Sequence, residues 1–88
     1  MKLKNWKVLL KPNWDIHFKK FDKPTQNKIV KKLNQMEQPA KPRGLLASKY
    51  LVEEVGQYRV AYEADEQTYE KFIHFVGNHK QYEKWYKR

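Results

Sequence analysis

The sequence predicts an α+β domain: a helical hairpin packed on one face of a four-stranded antiparallel sheet, in the order β-α-α-β-β-β with a short C-terminal helical turn. Three observations predict it. Apolar residues before position 40 recur at helical spacing, and those from Tyr50 onward alternate with period two. Length and composition agree, because 88 residues with 40% apolar and 15% aromatic content fill one core and exclude a disordered chain. Residues 1–88 therefore read as a single domain.

Trp6 to Leu10 reads as a short first strand that Pro12 ends. From Trp14 the period changes: Trp14, Phe18 and Phe21 fall at i, i+4 and i+7, the stripe of a short helix. Asp22 suits the N-cap of a second helix, with Pro24 in its first turn. Ile29, Val30, Leu33 and Met36 form the apolar stripe of that helix, and Lys28, Lys31 and Lys32 occupy its other faces. Pro39 and Pro42 close it, so Gln38 to Gly44 is a loop. Tyr50 to Val55 reads as a second strand with both faces partly apolar, followed by a Gly56-Gln57 hairpin turn. Along the third strand Tyr58, Val60 and Tyr62 share one face, and Arg59, Ala61 and Glu63 share the other. Ala64 to Gln67 turns the chain into a fourth strand, Phe72 to Val76, which Gly77-Asn78 ends. Asn78 suits the N-cap of a final helical turn carrying Tyr82, Trp85 and Tyr86.

The formal charge of +9 is unevenly placed. Residues 1–49 hold 13 Lys/Arg against 3 Asp/Glu, a balance of +10, whereas residues 50–88 hold 6 against 7, a balance of −1. A cation-rich half concentrates polyanions, so nucleic acid or an acidic protein is the expected partner; a solvated lysine surface serving solubility is the plainer alternative. The chain has no cysteine, which excludes a disulfide framework and a thiolate zinc site. No cluster of carboxylates and histidines stands at metal-ligand spacing, so neither a metal nor another cofactor is expected. The apolar run Val8 to Leu10 is too short for a signal peptide or a membrane span, and a cytoplasmic location is the expectation.

Arg59 and His79 lie in the near-neutral half and stand apart from the lysine excess. RNA carries its own nucleophile in the 2′-OH. Its cleavage needs a group to take that proton, a cation facing the phosphorane, and a donor for the departing 5′ oxygen. Arg59 suits the cation, because a guanidinium stays charged and grips two phosphate oxygens at once. The alternative is a cross-strand ion pair with Glu53 or Glu54. His79, in a loop after Gly77, is the acid–base candidate, since imidazole is the side chain that ordinarily titrates near neutrality. The alternative is a surface histidine beside a helix cap. Tyr82 lies one helical turn beyond His79, where it serves as a stacking, orienting or proton-donating group, or as a core ring. His17 and His74 read as structural. Lys41, Arg43 and Lys49 flank the loop into the second strand and Lys80 follows His79, which suits all four to phosphate contacts.

The order of these elements carries Leu45-Leu46, Val55-Gly56-Gln57, Tyr58-Arg59-Val60-Ala61-Tyr62 and the ending Gly77-Asn78-His79-Lys80-Gln81-Tyr82. Over nearly the whole chain this resembles the RelE/ParE superfamily of toxins from toxin–antitoxin pairs. The ending looks like the Gly-Thr-His-x-x-Tyr ending of HigB-type members and the related ending of YafQ-type ones. The resemblance implies a RelE-like fold and an endoribonuclease that cleaves messenger RNA, usually in the ribosomal A site, without a metal. It also implies a cognate antitoxin that holds the enzyme inactive, expected to be a small protein with an acidic or amphipathic segment. The helix lysines, Lys31 and Lys32 among them, then give a diffuse footing on ribosomal RNA. Two other readings stand beside it: a ParE-type inhibitor of DNA gyrase that cleaves nothing, and a non-toxic nucleic-acid-binding module. The sequence departs from the family at Glu54, where many active members carry a basic residue two places before the turn glycine. Either Glu53 or Glu54 acts as a general base, as a carboxylate does in YoeB-type relatives, or the two pair with basic neighbours.

Overall fold

The alternating half of the sequence builds most of a sheet. In the computed structural model, which describes residues 4–39, 45–47 and 50–87, the elements are β1 (Lys7–Leu10), a single 3₁₀ turn (Phe18–Lys20), α1 (Lys23–Gln35), β2 (Leu45–Ala47), β3 (Tyr50–Val55), β4 (Tyr58–Asp65), β5 (Glu70–Asn78) and α2 (His79–Tyr86). Val55 pairs with Tyr58 across a two-residue turn, and Gly56 takes φ +60° there. This is the arrangement that favours glycine at the first turn position.

The sheet has five strands in the order β1-β5-β4-β3-β2. The strands β2 to β5 form an antiparallel meander, whereas β1 pairs parallel with β5, Lys7 opposite Glu70 and Leu10 opposite Ile73. The expectation of four strands, all antiparallel, is corrected on both counts. No hairpin joins β1 to its neighbour, so no turn geometry forces it antiparallel. The fifth strand comes from Leu45–Ala47, which joins the far edge against β3.

The expected helical hairpin is also corrected. Trp14 to Phe21 forms turns and one 3₁₀ turn, with Asn13 at φ +69°. No side chain caps this segment, His17 making no cap hydrogen bond before the 3₁₀ turn, whereas α2, of the same length, starts from a capping box at Asn78. The three rings still reach the core, Trp14 against Phe18 at 4.9 Å between centroids. The element order is thus β-α-β-β-β-β-α, with one helix on each face of the sheet rather than two on one.

The cap of α1 is as the sequence predicts: the Asp22 carboxylate accepts from the Thr25 N–H at 3.2 Å, with Pro24 in the first turn. Its buried stripe is Ile29, Leu33 and Met36; Val30 is 43% exposed and falls outside it. These residues pack with Val60, Tyr62, Ile73 and Val76 into the larger core. Lys71 is buried beside that core and donates from Nζ to the Met36 carbonyl at 2.8 Å, under the Trp6 ring at 4.9 Å. Burial pushes its ammonium below the usual lysine range; the nearby Glu53 charge opposes this, and Lys32 reinforces it.

On the opposite face lies a second core of Val52, Ala61, Phe75 and Tyr82, with Tyr50 and Trp85 packed against it. Its geometry depends on a bulge. Ala61 opposes Phe75 and Tyr62 opposes Ile73, which leaves His74 as an extra residue in β5. Ile73 and Val76 therefore point to the α1 core, while His74 and Phe75 both contact the side covered by α2.

Candidate functional site

Register places the first candidate group. Arg59 in β4 stands opposite Gly77 on one side and Glu54 on the other. Its guanidinium carbon sits 5.3 Å from the centroid of the Tyr82 ring, a cation–π contact that holds the charge at the edge of the second core. Gly77 is needed beside it. A Cβ there would lie 2.6 and 2.9 Å from two carbons of the Phe75 ring and 3.0 Å from the Gln81 Oε1.

Just past Gly77, Asn78 caps α2 through a reciprocal pair. Its side chain accepts from the Gln81 N–H at 2.8 Å, and Gln81 Oε1 accepts from the Asn78 N–H at 2.8 Å. The cap fixes where α2 starts and hence where His79 and Tyr82 stand. Tyr82 is buried, and its hydroxyl has no hydrogen-bond partner in the structure. Burial pushes the phenol above its ordinary value, Tyr86 adds to the rise, and the Arg59 charge offsets part of it. The group therefore stays protonated at neutral pH, as a donor in want of an acceptor.

His79 is the first residue of α2, and its Nε2 lies 2.7 Å from the Glu83 carboxylate one turn on. Both side chains are about half exposed. A ring oriented by a carboxylate through Nε2 offers Nδ1 to a reacting group, the usual arrangement of a base and its orienting partner.

The carboxylates separate by face. Glu54 lies beside Arg59 and is exposed, whereas Glu53 is 3.3 Å from the Lys32 Nζ and accepts from the Tyr62 hydroxyl at 3.4 Å, on the α1 side. Lys28, Lys31 and Lys32 line a recess of about 310 Å³ together with Glu54 and Val55. Lys80 is exposed on α2, while Lys41, Arg43 and Lys49 lie outside the described residues. The structure thus joins Arg59 and Tyr82 on the α2 face, with His79 opening that helix, and Glu54 stands opposite Arg59 in register while also lining the recess of the helix lysines. It sets Glu53, Lys31 and Lys32 behind the sheet.

Sequence reasoning passed over a larger feature. A cavity of about 720 Å³ lies between the turn after β1 and α2, lined by His17, Tyr50, His74, Phe75, Lys84 and Trp85 among others. The His17 ring meets Phe75 edge-on at 5.6 Å, and the His74 Nε2 is 2.6 Å from the Glu63 carboxylate. Nothing in the order of residues places these two histidines on one cavity, because the bulge that turns His74 to this side is a property of register.

No protein-family model and no curated protein sequence matches the chain. Solved structures do. A RelBE toxin–antitoxin complex from Mycobacterium tuberculosis superposes with TM-score 0.71 at 16% identity, over 88% of this chain and 94% of that one. The chain has the RelE fold. A mutant of the Escherichia coli toxin RelE in the free state gives 0.69 at 16% identity over 92% and 90% of the two chains. The isolated E. coli RelE toxin gives 0.65 at 18% identity over 94% and 97%. In this example of the RelE fold the face carrying Arg59 is the one that the C-terminal helix covers. No helix among the described residues is long and apolar enough to cross a membrane.

Proposed function

We propose that this chain is the toxin of a toxin–antitoxin pair and that it cleaves messenger RNA, on the ribosome and in the cytoplasm, without a metal. One observation carries the reading: a guanidinium fixed on the Tyr82 ring, opposite Glu54 in register and beside the helix that His79 opens, within a RelE fold. His79 or Glu54 removes the proton of the 2′-OH, whose oxygen attacks the adjoining phosphorus. The bond from phosphorus to the 5′ oxygen then breaks, and a protonated partner, His79 or Tyr82, returns a proton to that leaving oxygen. Arg59 offsets the charge that grows on the phosphorane. The ending from Gly77 to Tyr82 is read as the HigB- and YafQ-type arrangement of these groups. A cognate antitoxin with an acidic or amphipathic segment covers the basic half, where residues 1–49 carry the +10 balance.

The test is cleavage of a translated messenger on purified ribosomes. His79→Ala and Arg59→Ala should each slow cleavage by roughly two or more orders of magnitude, the usual scale of acid–base and charge-stabilising groups. Near-normal rates in folded variants overturn the assignment of these residues. Intact messenger alongside inhibited DNA gyrase overturns the nuclease reading itself.

A further inference from the structure

We propose that the cavity between the turn after β1 and α2 is a nucleotide subsite, in which a base of single-stranded RNA stacks among aromatic rings and its phosphate meets Lys84. The inference rests on the RNA reading above and adds a place where the strand is held away from the cleaved bond.

The cavity, at about 720 Å³, falls in the range of sites that enclose small ligands. Its walls suit a flat ring. Tyr50 packs on Trp85 at 4.9 Å and Phe75 stacks on Trp85 at 5.0 Å with 19° between planes, so the rings are already ordered before a base arrives. Base-on-aromatic stacking contributes about 1–3 kcal/mol per base and tolerates any sequence.

Its polar groups suit the edge of a base. Burial, with the Lys20 charge adding to it, holds the His17 imidazole below its ordinary value, so at neutral pH the ring is uncharged and can both donate and accept. Gln81 has committed Oε1 to the Asn78 N–H and retains its amide NH₂ as a donor. The Glu63 carboxylate holds His74 from beneath at 2.6 Å, and the Tyr50 ring covers it at 5.0 Å. Lys84 is exposed at the rim, a cation placed for phosphate rather than for the base.

The bulge ties this cavity to the candidate site. By adding one residue to β5 it brings His74 and Phe75 together onto the α2 side, where both line the cavity. Bulges commonly re-aim side chains beside functional sites. Glu63, which anchors His74, follows Arg59 by four residues on β4, about 13 Å along the strand. Trp85 touches the rings of both Phe75 and Tyr82, and Tyr82 carries Arg59. One strand of RNA can therefore meet both sites.

Titration of the whole chain with each of the four 5′-nucleoside monophosphates, followed by NMR, tests the proposal. At least one of them should shift the Trp85 indole N–H and the His17 and His74 ring protons, and inorganic phosphate alone should not. Lys84→Ala, an exposed change that leaves the fold intact, should weaken that binding about ten-fold, the scale of one charged hydrogen bond. A single-stranded oligoribonucleotide should displace the monophosphate. Failure to displace it assigns the cavity to free nucleotides and overturns its place on the RNA path. Shifts confined to His79 and Tyr82, or none at millimolar concentration, overturn the subsite. Nucleotide binding at Trp85 by a chain that cleaves no messenger refutes the nuclease reading and leaves the subsite standing.

Discussion

Replacing Gly77 with alanine tests the packing between Arg59, which it faces across the strand pair, and the cap that starts α2. The added methyl carbon falls 2.6 and 2.9 Å from the Phe75 ring. That ring is 4% exposed and stacked on Trp85, so it cannot swing clear without unpacking the second core. The same carbon lies 3.0 Å from Gln81 Oε1, the acceptor of the α2 cap. Overpacking of this kind costs about 1–3 kcal/mol, and a disturbed cap adds about 0.5–1 kcal/mol. The expected loss is therefore about 2–3 kcal/mol, which in a domain of this length lowers Tm by about 10–20 °C. Thermal and urea unfolding followed by circular dichroism measure it, with the urea slope unchanged. A second substitution isolates the cause. Phe75→Leu removes the ring atoms nearest the new methyl and alone costs about 1–2 kcal/mol. Combined with Gly77→Ala it should lose less than the two separate losses together, by about 1–2 kcal/mol. Strict additivity, or a Tm for Gly77→Ala within about 3 °C of the parent, refutes the steric argument.

Tyr82→Phe removes a buried hydroxyl that has no acceptor, so stability at pH 7 should hold or rise by up to about 1 kcal/mol while messenger cleavage falls. Unchanged cleavage removes the hydroxyl from the chemistry. Because the folded phenol titrates above its unfolded value, its contribution is complete below pH 10 and is lost as pH climbs through the folded pKa; the phenylalanine variant should show a shallower alkaline decline. Lys71→Met leaves the Met36 carbonyl unpaired and should cost about 1–2 kcal/mol at pH 7 in urea unfolding. The lowered Lys71 value means the unfolded chain binds more protons, so the parent gains stability as pH rises toward the ordinary lysine value and the gap to the variant should widen; a gap that shrinks contradicts the burial argument. Asn78→Ala should lower Tm by about 4–8 °C through the lost cap of α2, and a circular dichroism melt within about 2 °C of the parent would show that the cap contributes little.

What could be read from the residues and what could not divides along physical lines. Strands β3 and β4, their Gly56-Gln57 turn and α1 with its Asp22 cap are specified by neighbours in sequence, through alternation, φ preference and side-chain capping. The pairing of β1 with β5 depends on residues more than sixty positions apart, and no local pattern encodes it. The stripe Trp14, Phe18 and Phe21 was legible as buried but not as irregular, since rings at helical spacing pack on a core equally well from consecutive turns. At the candidate site, Arg59 and Tyr82 were named from residue type and spacing, and the contact between them follows from strand register and the Asn78 cap. The separation of Glu53 from Glu54 was implicit in strand alternation, yet which face carried α2 was not. The cavity beside His17 and His74 was invisible, because a bulge shifts the face of every residue after it and leaves no mark in composition.

The pairing of the first strand with the last also sets a timetable for the chain as it is made. Lys7 waits for Glu70, 63 positions later, before its backbone finds a partner. Closing a loop of that length costs roughly 3 kcal/mol more in chain entropy than closing the two-residue turn at Gly56. Loop-closure entropy therefore favours formation of the β3, β4 and β5 meander before β1 docks on its edge. A nascent chain halted before β5 has an unpaired first strand and lacks Gly77, His79 and Tyr82 altogether. An interrupted copy thus lacks the groups to which the proposed chemistry is assigned.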